Sequence, residues 1–571
     1  MLADTYLFHG RHPVLGYKFR FSLIIALVCG TFTHLAASAP LSPAERNLIN
    51  QDQQNLLLNN QEQRNELQRS LTPVNPYERA RPSPAGPCFN IHRIYINNAT
   101  LLSDATRQKL LNPYAGQCLG MDKINNLIHK ISDWYIQRGY ITSRAFITEQ
   151  DLSTGELHIS VLEGRLEKIR LEGAPSRQLH MAFPGLEGQI LNLRDIEQGM
   201  EQINRVRSTP VQIEILPADR PGYSVVNLTA APEFPLSASA GFDNSGQKST
   251  GTGQISGSLT GNNLLGLADK WFISGGRSSD FSSTHDAQNF QTGVSLPYGY
   301  SLLDYSYSWS NYLNTINNNG FNWVSTGDSV SHRATLSRVL FRNGDIKTGV
   351  SVGIAHQISR NWLNDAKLDS SSRKLTSLQF GLNHTQKIFG GVATLNPGFS
   401  HGMPWFGAEN DRGKKGDAPK AQFKKWSING SFQRPVTNDL WWLTSVYGQW
   451  SPDRLYGSER LTIGGESSVR GFKEQYLAGD NGGYLRNELN YALFTLPVIG
   501  QVSALAAVDG GWLQKDAKDP WASGTLWGSA LGLTAAGRYY SNQFTVGLPV
   551  KDPAWLAPDR FSVYYRIAFV I

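Results

Sequence analysis

From about residue 235 to residue 571 the chain reads as one strand after another. The last is the plainest: Phe561, Val563, Tyr565, Ile567, Phe569 and Ile571 alternate with Ser562, Tyr564, Arg566 and Ala568, the period of two that sends successive side chains to opposite faces of a sheet. The run 503–511 behaves alike. Ser503, Leu505, Ala507 and Asp509 share one face, and Ala504, Ala506 and Val508 the other. If the second face meets lipid, Asp509 points inward, where a buried carboxylate needs a cationic partner. Short turns are predicted at 296–299, 342–345, 389–391 and 435–438, with longer polar loops between them, such as 311–328 and 403–422. Short turns on one side and long loops on the other are the pattern of an outer-membrane barrel, here of about sixteen strands. A barrel of that size must be plugged or leave a channel.

Before the strands the pattern changes three times. Arg11, Lys18 and Arg20 precede an apolar stretch, 21–35, and Ala36-Ala37-Ser38-Ala39 offers cleavage sites after Ser38 or Ala39, so 1–39 is expected to be a signal peptide. Residues 40–70 predict one helix, with Ser42 and Glu45 as a capping box and Pro43 at its first position. Its Gln- and Asn-rich interior has no full core face, which suits an exposed arm or a wet cavity. The Pro-rich stretch 71–87 reads as a linker. Residues 88–164 predict a strand at 89–96, helices at 103–111 and 121–138 closed by Gly139, and strands at 145–148 and 157–162. Residues 165–231 repeat the order, with strands at 166–171, 211–216 and 224–230 and a helix near 193–206. Cys88 and Cys118 are the two cysteines beyond the signal. In an oxidising compartment they are expected to form one disulfide, contributing about 3 kcal/mol, in preference to binding metal as two lone thiols.

Composition narrows the classes. With 571 residues, 17% charged, 11% aromatic and 55 glycines, the chain is long enough for several domains. Beyond the N-terminus it has no run of about eighteen apolar residues, which excludes a helical span but not a barrel. The net charge is +7, yet Lys and Arg are spread without a basic run, so nucleic acid is not an expected partner. Gly349-Val350-Ser351-Val352-Gly353 satisfies G-x-S-x-G but lies mid-strand, where no nucleophile elbow can form. The histidines lack metal-ligand spacing and no phosphate loop ends in Gly-Lys. The expectation is no catalytic residues, no metal and no cofactor.

The stretch 461–488, LTIGGESSVRGFKEQYLAGDNGGYLRNE, carries the candidate chemistry. Val469-Arg470-Gly471-Phe472 sits in a loop of roughly thirty residues, a length that is normally functional or disordered. With Asp509 on the next-but-one strand it resembles the barrel superfamily that secretes or inserts proteins, in which the arginine of loop 6 folds into the barrel and bonds that acid. The runs PYAGQCLGMDKIN and WYIQRGYITSRAFITEQDLSTGELHISVLEGRLEKI resemble the first POTRA domain of the hemolysin and contact-dependent-inhibition exporters. The chain is therefore identified as a two-partner secretion (type Vb) transporter of the TpsB family. That resemblance implies a mainly β chain: a 16-stranded transmembrane barrel (232–571), preceded by two α+β POTRA domains (88–164 and 165–231) and an N-terminal plug helix. It implies a monomer in the outer membrane of a Gram-negative bacterium, set in lipid with its N-terminal domains in the periplasm. The POTRA domains would bind one large secreted TpsA-type exoprotein, a hemolysin, adhesin or growth-inhibition toxin. The plug would then leave and the exoprotein thread out without ATP. Arg470 would bond Asp509 and Phe472 would wedge the loop, although Ala507 replaces the family's aromatic two positions before the acid. Three rival functions stay open: an assembly insertase of the same superfamily, a passive porin or adhesin, and a membrane-embedded hydrolase using Ser351. POTRA domains acting as spacers and an Arg470–Asp509 pair that only stabilises the barrel stay open beside them.

Overall fold

The structure is a computed structural model that describes residues 41–69, 87–172 and 176–571. The expected signal peptide (1–39) and all but the last residue of the expected linker (71–87) lie outside the described residues. Helix α1, Pro43–Gln68, opens on the expected capping box: Ser42 Oγ accepts from Glu45 N while Glu45 Oε2 accepts from Ser42 N. At 26 residues it is about 39 Å long.

The first α+β unit has two small sheets. Strand Phe89–Ile91 pairs with Gln117–Leu119, and Arg93–Asn97 runs parallel to Glu156–Leu162, which also pairs with Arg144–Phe146. The single strand expected at 89–96 is thus broken. The amides of His92 and Arg93 both donate to Gly155 O, which turns the chain from one sheet into the other. Helices α2 (Asp104–Leu111) and α3 (Met121–Gln137) cover the sheet. Ile124, Leu127, Ile131 and Tyr135 of α3, spaced three and four apart, form its core stripe with Leu157, Ile159 and Val161. Cys88 and Cys118 form a disulfide with Cα atoms 5.3 Å apart.

The second unit stacks Arg165–Leu171, Tyr223–Thr229 and Gln212–Pro217 in that order, with α5 (Leu193–Asn204) across them. It also holds α4, Arg177–Ala182. The sequence reading missed this helix because six residues are too few to show a period. Helix α5 is pressed onto the barrel. Arg205 donates to Ser295 Oγ (2.7 Å) and Ala268 O (2.8 Å), Arg342 donates to Gln198 Oε1 (2.7 Å), and Tyr300 Oη donates to Asp195.

Sixteen strands among the described residues close into an antiparallel barrel. These are β1 (Leu236–Asp243), β2 (Gln254–Asn262), β3 (Lys270–Ser278), β4 (His285–Tyr298), β5 (Ser301–Asn318), β6 (Phe321–Arg342), β7 (Ile346–Leu363), β8 (Arg373–Ile388), β9 (Gly391–Gly402), β10 (Lys424–Pro435), β11 (Leu440–Trp450), β12 (Gly482–Leu496), β13 (Gly500–Leu513), β14 (Gly524–Ala536), β15 (Tyr540–Lys551) and β16 (Ser562–Val570). A two-residue spur, Ala366–Lys367, extends β7 beyond the wall, and β16 pairs back onto β1 from Arg566↔Asp243 to Val570↔Ser239. Outward residues are apolar at every second position, as at Val350 and Val352, Phe380 and Leu382, and Leu531 and Leu533, the face a bilayer requires.

The expected polar loop 311–328 is instead ordered hairpin, paired from Asn311↔Asp328 to Asn318↔Phe321. With 22 residues, β6 spans about 70 Å, well beyond a hydrocarbon core of about 30 Å even when tilted. Its distal part has water on both faces, so its polarity reports solvent and not a lack of pairing. Residues 403–423 do form an irregular loop, and Gly349–Gly353 lies within β7.

Replacing Cys88 and Cys118 with alanine is expected to destabilise the first α+β unit by about 3–4 kcal/mol. Urea titration of the oxidised and substituted full chain, followed by proteolysis within residues 88–164, measures it.

Candidate functional site

The loop between β11 and β12, residues 451–481, folds back on the barrel. It carries a strand pair of its own, Leu461–Ile463 against Leu477–Gly479. Leu461, Ile463, Val469, Phe472 and Leu477 pack with Tyr484, Leu513 and Leu526 of the wall into a closed apolar cluster. This cluster explains why so long a loop is ordered: it has its own core. Val469 and Phe472 have no exposed surface, Arg470 is 2% exposed and Asp509 is fully buried.

All five residues expected to form a lock come together. Arg470 donates from Nε (2.6 Å) and its own backbone N (3.1 Å) to Asp509 Oδ2, and from Nη2 (2.7 Å) to Oδ1. The fork is bidentate, the strong form of a charge-assisted bond. Sequence reasoning missed the second half of the charge balance. Arg470 Nη1 lies 3.0 Å from Glu488 Oε1, and Arg486 Nη2 lies 2.7 Å from the same oxygen. Two arginines and two carboxylates thus neutralise one another where single charges would be prohibitive. Arg486 is the ladder partner of Asp509, so both project to the same face. The run Tyr484-Leu485-Arg486-Asn487-Glu488, with charges two apart on an alternating strand, was the available signal.

Glycine makes room for the loop. Gly528 stands opposite Asp509 on its other side, and a Cβ there would lie 1.8 Å from Arg470 O. Gly471 has φ of +102° and passes so near β15 that a Cβ would approach Leu548 C to 2.6 Å. Its N–H donates to Tyr564 Oη (3.2 Å), its carbonyl accepts from Ser562 Oγ (3.0 Å), and Lys473 N donates to Ser562 Oγ (3.2 Å). The loop tip is therefore fastened to β16 as well as to β12 and β13.

Helix α1 lies inside the lumen and touches the same loop. Arg46 donates to Lys473 O (2.7 Å) and stacks over Tyr476, while Gln53 donates to Thr462 O (2.9 Å). Further along, Asn60 Oδ1 accepts from Thr394 Oγ1 (3.0 Å) and Asn396 Nδ2 (2.8 Å), and Arg64 donates to Gln433 Oε1 (3.2 Å) and to Ser431. Of the two readings left open for this polar helix, the wet cavity holds. A cavity of about 330 Å³ remains between α1, the loop and the β1–β5 wall, lined largely by Ser, Asn and Gln.

Residues 222–535 match the family described as haemolysin secretion/activation protein ShlB/FhaC/HecB. Outer membrane transporter CdiB of Escherichia coli is 59% identical over 560 residues, covering 97% of this chain and 94% of the relative. The chain belongs to this family. Residues 89–164 match the ShlB-type POTRA domain and 165–217 a second POTRA domain. Hemolysin transporter protein ShlB of Serratia marcescens is 33% identical over 76% of this chain and 78% of its own. A solved structure of CdiB from Escherichia coli superposes with a TM-score of 0.91 at 60% identity, over 93% of this chain and 100% of that one. Family and fold make this chain an outer-membrane secretion transporter with its POTRA domains in the periplasm. The loop with Arg470 consequently enters from the extracellular side, and α1 ends at the periplasmic mouth.

Gly528→Val is expected to unseat the loop without unfolding the barrel, because the new side chain overlaps the Arg470 carbonyl. Protease added outside intact cells should cut within 451–481 in this variant and not in the parent, at unchanged folded-barrel mobility on a cold SDS gel.

Proposed function

We propose that this transporter exports one large secreted partner protein through its own lumen, and that α1 must leave before the client can pass. The observation that carries this reading is the way α1 is held. It obstructs the lumen through side-chain hydrogen bonds and ion pairs, with Ala44 and Leu67 its only wholly buried apolar residues, so withdrawal costs little hydrophobic surface and water can replace each bond. The client class follows from similarity: three CdiB relatives, from Escherichia coli and Dickeya dadantii, are 50–59% identical, against 31–33% for the hemolysin transporters and 29% for CdiB-2 of Burkholderia pseudomallei. That ranking favours a contact-dependent growth-inhibition exoprotein. The insertase alternative fits less well with two POTRA units and a lumenal helix. The exposed sheet edge at Gln212–Pro217 suits addition of an extended client strand. Folding of the client outside the cell supplies the driving force, and a single chain with its own closed barrel is sufficient.

Within this mechanism Val469, Arg470, Gly471, Phe472 and Asp509 are the lock that keeps the long loop inside the barrel. Glu488 and Arg486 complete it. Removing Arg470 would leave Asp509 buried without its cation, at a cost of about 3–5 kcal/mol, while Glu488 would keep Arg486.

Arg470→Ala is expected to abolish release of the partner exoprotein at equal levels of folded barrel, assayed in the medium of co-expressing cells; normal release would remove the lock from the mechanism. Gln53→Cys with Thr462→Cys tethers α1 to the loop. Oxidation should stop release and reduction restore it, whereas release with the tether closed would defeat the plug reading.

A further inference from the structure

At the periplasmic mouth three parts of the chain meet on one ammonium group. Lys347, at the start of β7, lies 2.7 Å from Glu66 Oε2 of α1 and also bonds Glu201 of α5. The three side chains are 14%, 25% and 17% exposed, so solvent screens them only in part. Glu201 has a second cation, Arg342, at 3.1 Å, which also faces Glu197 at 3.7 Å. Among the described ion pairs Glu66 has Lys347 alone. The groups flank a cleft of about 460 Å³ between the last turns of α1 and α5.

We propose that Lys347 is a positioning residue through which the second POTRA domain loads the plug for release: seated α5 presents Glu201, which competes with Glu66 for the single ammonium group. The proposal rests on reading α1 as the plug that leaves. Glu201 has Arg342 as well as Lys347, whereas Glu66 shares Lys347 with a like charge, which leaves an incompletely compensated carboxylate at the end of α1. Withdrawal of α1 relieves it, and so does loss of either carboxylate. The sign is therefore unusual. Deleting a charge that touches the plug should hold the plug more firmly.

Protonation should do the same. Burial and neighbouring Glu201 push the Glu66 carboxyl up to about 7, whereas Lys347 and Arg342, working against burial, hold Glu201 below the usual carboxylate range. Glu66 thus takes up a proton first. It binds that proton more tightly in the seated plug than in a free one, so acidification toward about pH 5.5 favours the plugged state and a rise through pH 7 favours release. The other charged groups facing this site are Glu62 of α1 and Arg69 that caps it, Arg194 and Glu197 of α5 and Arg205 that caps it, and Arg342 of β6.

The test uses the full chain in proteoliposomes without client. Asn60, 3% exposed against the wall, is replaced by cysteine, and its labelling by a maleimide reports α1 leaving its seat. Rates are divided by those of the denatured chain at the same pH. At about pH 7.5, Glu201→Gln and Glu66→Gln should each slow labelling roughly tenfold, the effect of about one pKa unit, and Lys347→Gln should accelerate it. Lowering the pH to about 5.5 should slow the parent roughly tenfold and leave Glu66→Gln unchanged. A merely structural cluster would instead loosen with every substitution. Faster or unchanged labelling in Glu201→Gln overturns the proposal, as does a parent rate indifferent to pH. The pH comparison stands even if Lys347→Gln fails to assemble. Secretion is not the readout, so the result is separate from the tethered-helix experiment.

Discussion

A sheet in hydrocarbon must close, because an open edge would leave backbone N–H and C=O groups without partners. Closure with sixteen strands leaves a bore too wide for side chains from the wall to fill. The rest of the molecule answers that constraint. Helix α1 crosses the bore, and the 451–481 loop folds in from the far side with its own apolar cluster around Phe472. The second POTRA domain presses α5 against the near rim. Helix α1 and the loop are ordered by the wall they occupy, whereas the second POTRA domain brings a core of its own.

The two ends of the bore are closed by different physics. At the extracellular end the loop is held by apolar packing together with a balanced set of charges, Arg470 and Arg486 against Asp509 and Glu488. At Arg470 and Asp509 it excludes water almost entirely. The charges there cannot part without leaving a buried ion. At the periplasmic end the contacts are partly exposed, with two carboxylates sharing Lys347 and Arg342 serving Glu201 alone of the two. Such contacts exchange readily with water and with one another. The first arrangement suits a part that stays, and the second a part that moves.

Both closures depend on small residues in the wall as much as on charged ones. Gly528 and Gly471 let loop and strand backbones approach where any side chain would intervene. Their role is spatial. Nothing in the neighbouring sequence distinguishes Gly528 from the many barrel glycines.

Local pattern determined much of this protein. The alternation of β16, the inward face of Asp509, the capping box of α1, the two α+β units and the 16-stranded class follow from periodicity and cap chemistry, because those signals act over a few residues. The meeting of Arg470 with Asp509 was legible only through a family resemblance, since 39 residues separate them. Glu488 had a signal in the alternation of its strand, but Tyr564 and Gly528 around that pair, and the convergence of Glu66, Glu201 and Lys347, were decided by the tertiary structure alone. The break in the first strand at His92 and the ordered hairpin 311–328 belong there too. In each case the deciding neighbour lies across a closed sheet or on another domain. A period along the chain reports which face a residue takes, but not which residue it will face.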